Sequence, residues 1–297
     1  MVSRNWQEES SQVIHPRQLW PADISRLRME LHPRLSAAEA ASVVLQSPGA
    51  SYWIPESEEF IIVAPWRHRQ EIATVHTFGA FANEDLLMQS VISQAQASEK
   101  AAFVVVDLHE VRSASFYLRH GLEPFEEIVT YSHRNPASVK GAGLDRFLQF
   151  RQVDHANRDL LEAVIDLDHR AFPWFWWNSE AEFDAYLDYP GVEVWAAMDG
   201  NQVMAYAGIT RYRNWAHLDR IATEPGRQGT GVGREMLSFV VQDMARKGAR
   251  SVALSTQGNN QRSRSMYERA GFVHTPRDDY GIHLVSFNDE LVYSGKI

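Results

Sequence analysis

Apolar positions in the C-terminal half of the chain switch between two periods, and the switches mark out elements. The stretch "VEVWAAMDGNQVMAYAGITRY", from Val192, is two apolar runs about the turn Asp199–Gly200–Asn201 and predicts a β-hairpin. "WAHLDRIAT", Trp215–Thr223, alternates as a strand, with His217, Asp219, Ile221 and Thr223 on one face and Leu218, Arg220 and Ala222 on the other. After a glycine-rich stretch, Met236, Leu237, Val240, Val241 and Met244 recur at helical spacing, and Gly248 suits the helix end. "ARSVALST" reads as a buried strand. "NNQRSRSMYERAGF" reads as a helix opened by Asn259 or Asn260 and closed by Gly271, and strands follow around Val273 and in "GIHLVSF". The predicted order is β-β-β-α-β-α-β.

Part of this pattern occurs twice. "SASFYLRHGL", Ser113–Leu122, matches "SRSMYERAGF", Ser263–Phe272, at an offset of 150, with five identities in ten. An apolar run precedes each copy, "AAFVVVDL" and "ARSVALST", and an Ile-Ala-Thr tripeptide comes earlier still, at Ile72–Thr74 and Ile221–Thr223. The chain reads as a duplicated α/β unit. "SHRNPASVKGAGLDR", Ser132–Arg146, has no periodicity and a turn-forming composition, so the expected division is 1–134, a linker at 135–146, and 147–297.

Composition narrows the chemistry. With 297 residues and 44% hydrophobic content, two globular domains are expected. The absence of cysteine excludes disulfides, thiolate nucleophiles and Cys-ligated zinc. No H-E-x-x-H, carboxylate-rich metal loop or G-x-S-x-G elbow occurs, so neither a metal nor a serine nucleophile is expected. "MVSRNWQEESSQ" lacks the apolar core of a signal peptide and no run approaches a membrane span, so the expectation is a cytoplasmic protein without a membrane partner. A net charge of −9 argues against a nucleic-acid partner. That charge is uneven. Arg211–Arg269 holds eleven Lys or Arg against five Asp or Glu, whereas Arg151–Thr210 holds three against eleven. The first suits phosphates and the second a cation, although both segments also fit ordinary solvated faces.

The basic segment surrounds "RQGTGVGREML", Arg227–Leu237, with glycines at 229, 231 and 233 directly before a helix. The first N–H groups of a helix lack intrahelical partners and sit at the positive end of its dipole, so an anion is favoured there. A phosphate loop and a plain glycine-rich strand-to-helix turn both fit these eleven residues. A G-x-G-x-x-G reading from Gly231 fails at Met236, and no Walker Gly-Lys-Ser/Thr follows.

Gln228-x-x-Gly231-x-Gly233 after a strand, then Asn260 with Tyr267 seven residues on and "AGF" at 270–272, resembles the GNAT acetyltransferase superfamily. The resemblance is close over roughly Arg146–Ile297 and distant before it. It implies an α/β (α+β) fold of two GNAT-like domains, each a mixed, largely antiparallel twisted sheet flanked by helices. It also implies transfer of an acetyl group from acetyl-CoA, as co-substrate and without a metal, to a primary amine. By the same resemblance Ile221, Ala222 and Thr223 face pantetheine, and Gln228, Gly229, Thr230, Gly231, Val232, Gly233 and Arg234 hold the pyrophosphate. Asn260 binds the pantetheine arm, and Tyr267 protonates the leaving thiolate. A core tyrosine is the other reading of Tyr267.

Attack by an amine needs a base. His217 stands where some family members carry one, and Asp219 on the same face is a second candidate; a strand histidine satisfied by the neighbouring strand is the competing reading. Trp174, Phe175, Trp176 and Trp177, followed by Glu180, Glu182 and Asp184, lie where the family walls its acceptor cleft, and aromatic faces with carboxylates attract ammonium groups. They equally suit an aromatic staple between the two copies.

In the first copy Phe78, Phe81, Asn83 and Glu110 stand where the motif has Gln228, Gly231, Gly233 and Asn260, and only Tyr117 keeps its counterpart. That copy reads as degenerate, as in tandem-GNAT proteins such as mycothiol synthase, although no residue selects that substrate. The expected partner is a small amine, with the protein a monomer or homodimer. A non-catalytic acyl-CoA-binding or scaffold protein on the same duplicated fold remains the alternative.

Overall fold

The computed structural model describes residues 14–28, 35–108, 112–143 and 148–295. Glu110, the ends of the chain and residues 144–146 of the expected linker lie outside the described residues. The fold is mixed α/β, with largely antiparallel strands flanked by helices. Two compact units emerge: Met1–Pro65 with Ala73–Lys100, and Trp66–Ile72 with Ala101–Ile297.

The first unit contains β1 (Arg17–Gln18), α1 (Ala37–Gln46), β2 (Tyr52–Ile54), β3 (Glu59–Trp66), most of β4 (Arg69–Gly79) and α2 (Glu84–Ala97). β2 pairs antiparallel with both β1 and β3. Helix α1 starts in a capping box, where Ser36 Oγ accepts from Glu39 N–H and Glu39 reaches back to the Ser36 N–H. Its buried Ala40 and Val44 pack with Leu19, Ile24, Trp53, Phe60 and Ile62.

The second unit begins with the tip of the β3–β4 hairpin, followed by β5 (Ala102–Val106), α3 (Ala114–Arg119) and β6 (Glu123–His133). Then come β7 (Gln149–Val153), α4 (Arg158–Ala171), α5 (Glu180–Asp188), β8 (Val192–Asp199), β9 (Gln202–Arg211) and β10 (Trp215–Thr223). It closes with α6 (Val232–Arg246), β11 (Ser251–Gln257), α7 (Gln261–Arg269), β12 (Val273–His274), β13 (Tyr280–Ser286) and α8 (Asp289–Val292). From β8 to β13 this is the order expected from the periodicity.

Within this unit the strands run β5-β13-β6-β11-β10-β9-β8-β7, and β10–β11 is the parallel pair. The two copies of the repeat exchange their last strands. β6, which follows the first copy's α3, pairs with β11 of the second (Val252↔His133), and β13, which follows α7, pairs with β5 of the first (Ile282↔Val106). Ala101–His133, assigned by the repeat to the first domain, therefore belongs to the second compact unit. The expected linker is also anchored in part: Val139 is buried, its carbonyl accepts from Gln242 Nε2 at 2.6 Å, and Ala142 N–H donates to Glu235 Oε2 at 2.6 Å.

The sheet has a helix layer on each face here. Leu218, Leu254 and the apolar stripe of α6 make one core, and α4, Phe183 and Ala222 another. Among the described residues no helix is long and apolar enough to cross a membrane.

Candidate active site

The pairing of β10 with β9 steps from Leu218↔Ile209 to Arg220↔Gly208, leaving Asp219 unmatched. This bulge overturns the simple alternation read from the sequence. One extra residue inverts the phase. His217 and Asp219 still share a face, that of α5, but Arg220 joins them there, bonded to Asp168 of α4, and Ala222 packs with α4 and Phe183. Ile221 moves to the opposite face against the α6 core, as does Thr223, which lies beside Gly233.

On its other edge β10 pairs with β11 from Trp215↔Ser251 to Leu218↔Leu254 and no further, although β10 runs on to Thr223 and β11 to Gln257. The strands part at the bulge, and the segment holding Ile221, Ala222 and Thr223 is left without a ladder partner in β11. A parting of two parallel strands offers peptide groups to an extended, amide-bearing ligand.

The glycine loop lies at the end of the parted β10. Gly229 and Gly231 have φ of +80° and +93°, a left-handed conformation that disfavours other residues, and Gly231 is the N-cap of α6. The first N–H to bond back into the helix is that of Glu235, donating to Gly231 O at 3.0 Å, so those of Val232, Gly233 and Arg234 precede it. Gly233 has a different reason to lack a side chain. A Cβ there would come 2.7 Å from Thr223 Oγ1, so it brings helix and strand together rather than opening the backbone to a ligand. Thr230 Oγ1 donates to Arg227 O at 2.6 Å and stiffens the loop, while Gln228 bonds Thr223 O through Nε2 at 3.4 Å and Arg262 of α7 through Oε1. Left-handed glycines, leading N–H groups and flanking arginines fit an anionic pyrophosphate.

Asn260 caps α7, its Oδ1 accepting from Ser263 N–H at 3.1 Å. Tyr267 lies on the same helix, buried against Tyr131 and Phe272. Burial raises its pKa well above the ordinary tyrosine value, with the Ser263 side chain pulling the other way, so the phenol is protonated at neutral pH.

His217 Nδ1 lies 2.7 Å from Asp219 Oδ1, and both side chains are partly exposed. Asp219 Oδ2 accepts from Tyr186 of α5 at 2.5 Å and from Thr210 of β9 at 2.6 Å. Beside them Tyr212 and Trp215 stack at 4.3 Å with exposed faces, and Tyr212 lies in the electrostatic field of Asp219. Behind the pair Arg220 is clamped by Asp168 (2.6 Å), Trp176 O (2.6 Å) and the ring of Phe172, and Tyr206 also donates to Asp168. Burial, together with the nearby Arg220, pushes the pKa of Arg67 down to about 10.

The four aromatics read as a cleft wall serve mainly as packing. Phe175 is fully buried against Trp66 and Phe125, and Trp176 joins the same core and donates to Glu126 at 3.0 Å. Trp177 stacks on His169 and bonds Phe172 O, and Trp174 lies under Arg69. Since Trp66 and Phe125 come from the first copy, Phe175 is a staple. Several carboxylates of 151–210 already have partners: Arg158 meets Glu162, Glu180 and Asp184, His155 meets Asp184 and Asp188, and Lys247 meets Glu193. Tyr186, Thr210, Tyr212 and Trp215, absent from the sequence-based set, are the groups around His217 and Asp219. Their only signal in the sequence was proximity to the hairpin and strand that carry the site.

In the first copy the loop before α2 already holds an anion. Glu59 Oε1 accepts from the N–H groups of Phe81 and Ala82 at 2.6 and 2.7 Å, while Asn83 and Ser57 donate to Oε2.

The model of the acetyltransferase (GNAT) family matches residues 161–272, the stretch that contains the bulge, the glycine loop and Tyr267. The chain carries a GNAT-family domain. Similar to it is the mycothiol acetyltransferase of Propionibacterium freudenreichii subsp. shermanii, 27% identical over 146 residues; the match spans 41% of this chain and 42% of that protein, less than half of either. A GCN5-related N-acetyltransferase from Sphaerobacter thermophilus shares the fold with a TM-score of 0.60 at 16% identity, over 91% of this chain and 95% of that one. A tandem GNAT protein from the clavulanic acid biosynthesis pathway does so with a TM-score of 0.59 at 12% identity, over 92% and 98%. Both cover nearly the whole chain, so the likeness in fold extends beyond the GNAT domain matched by the family model.

Proposed function

We propose that the protein is an acetyl-CoA-dependent N-acetyltransferase that acetylates a primary amine of a small cationic molecule by direct attack, using the site of the second copy. One observation carries the reading: β10 and β11 part at the Asp219 bulge, and the freed segment leads into a helix N-terminus turned by left-handed glycines. Acetyl-CoA supplies the activated acetyl group. The loop N–H groups of Gly229–Arg234 hold its pyrophosphate, and Ile221–Thr223 with Asn260 hold its pantetheine arm. His217 Nε2, with Nδ1 turned to Asp219, takes the proton of the attacking amine. As the amine nitrogen bonds the acetyl carbon and the carbon–sulfur bond breaks, the Tyr267 hydroxyl gives its proton to the departing sulfur. Asp219 and the open faces of Tyr212 and Trp215 favour an ammonium-bearing acceptor. The first copy, with Glu59 in its loop, takes no acyl-CoA.

A panel of amines monitored for free CoA tests this reading. Polyamines or aminoglycosides should exceed neutral and zwitterionic amino acids, with turnover falling as salt rises. A preference for acidic or zwitterionic acceptors contradicts the cationic acceptor, and amine-independent CoA release across the panel contradicts transfer itself.

A further inference from the structure

We infer that Tyr186 and Thr210 are positioning residues that lock Asp219 onto His217, an inference that rests on His217 being the base of the proposed reaction. Asp219 is the residue skipped by the β9–β10 register, so its orientation has to come from side-chain partners. Two hydroxyls supply it, Tyr186 at 2.5 Å and Thr210 at 2.6 Å, both on Oδ2. Oδ1 is thereby turned to His217 Nδ1 at 2.7 Å. An ionised carboxylate only accepts hydrogen bonds, so Nδ1 carries the imidazole proton and Nε2 is the basic nitrogen.

The sequence makes room for this arrangement on β9. A Cβ on Gly208 would come 2.7 Å from Tyr186 Cε1 and 2.9 Å from its hydroxyl oxygen, so the phenol reaches Asp219 only across a glycine. Burial and then the Asp219 charge raise the Tyr186 pKa far above the ordinary tyrosine range, so the phenol remains a donor at any pH where the protein works. The groups facing Asp219 are Tyr186 from α5, Thr210 from β9, His217 from β10 and Tyr212 beyond the end of β9, with Tyr189 acting on Tyr212. Arg220, next in sequence, is held by Asp168. Because Tyr186 is on α5, the geometry ties the base to the helix that flanks its face of the sheet.

The test is nitrogen-15 NMR of the His217 imidazole in the full chain, together with kcat, KM and the pH profile. Wild type should show the Nδ1-protonated tautomer. Tyr186→Phe should mix the tautomers, move the acidic limb of the profile and lower kcat about 10–100-fold, the range of a lost hydrogen bond to a charged group, with acetyl-CoA affinity unchanged. Gly208→Ala should act in the same direction by displacing the phenol, Thr210→Val should resemble Tyr186→Phe, and Thr210→Ser should restore the wild-type spectrum. An unchanged imidazole spectrum and pH profile in Tyr186→Phe overturns the proposal. A shifted spectrum combined with full turnover in His217→Ala supports the positioning and overturns His217 as the base.

Discussion

Single residues carry the chemistry of this site, and Tyr267 shows how a catalytic and a structural role can be told apart. Its ring is part of the core with Tyr131 and Phe272. Tyr267→Phe keeps the packing and removes one proton donor. General acid catalysis is worth about 10²–10⁴-fold, so kcat should fall in that range while acetyl-CoA affinity changes little. Unchanged turnover with a lowered melting temperature assigns Tyr267 to packing alone. At this scale the sequence was informative about residue type and less so about direction. His217 and Asp219 stood out as separate candidates for the base on one face; that they bond to each other came only from the structure. Arg220, Ile221, Ala222 and Thr223, all beyond the bulge, were each assigned the wrong face, because a bulge adds one residue without disturbing the alternation visible along the strand.

Among the elements, the strand-to-helix loops of the two copies make an instructive contrast. The second has glycines and leading N–H groups; the first has Glu59, whose carboxylate meets the N–H groups of Phe81 and Ala82 and the side chains of Asn83 and Ser57. Burial would raise the Glu59 pKa, but those four hydrogen bonds outweigh it and hold the carboxyl below its ordinary value. A depressed folded pKa gives stability that is complete above the unfolded value, about 4.3, and is lost as pH falls through the folded one. Glu59→Gln should therefore cost about 1.5–3 kcal/mol at neutral pH, the range for a hydrogen-bonded charge, and the gap from wild type should close in acid. A gap that stays constant from neutral to acidic pH, read by chemical denaturation, argues against a charged Glu59 in the loop. Helices and strands were legible here because 3.6 and 2 are distinct periods. The filling of the first loop was not, since Glu59 lies on a strand some twenty residues before the N–H groups it meets and nothing local announces the contact.

For the whole molecule, the duplication was legible as a repeat at an offset of 150, but its consequence for the architecture was not. The copies exchange β6 and β13, and Phe175 packs among residues of both. Strand partners far apart in sequence leave no periodic trace, so a boundary drawn between the repeats misses the compact unit that starts again at Ala101. The asymmetry of the two loops makes the central claim of one acyl-CoA site per chain, at the parted end of β10 and β11. Calorimetry with acetyl-CoA on the full chain tests it most directly, with Gly231→Val alongside and its folding checked by thermal melt. Wild type should bind one equivalent, and folded Gly231→Val should bind none, because a β-branched residue at φ +93° deforms the loop and obstructs the pyrophosphate. Two equal sites in wild type, or undiminished binding in folded Gly231→Val, would contradict the account.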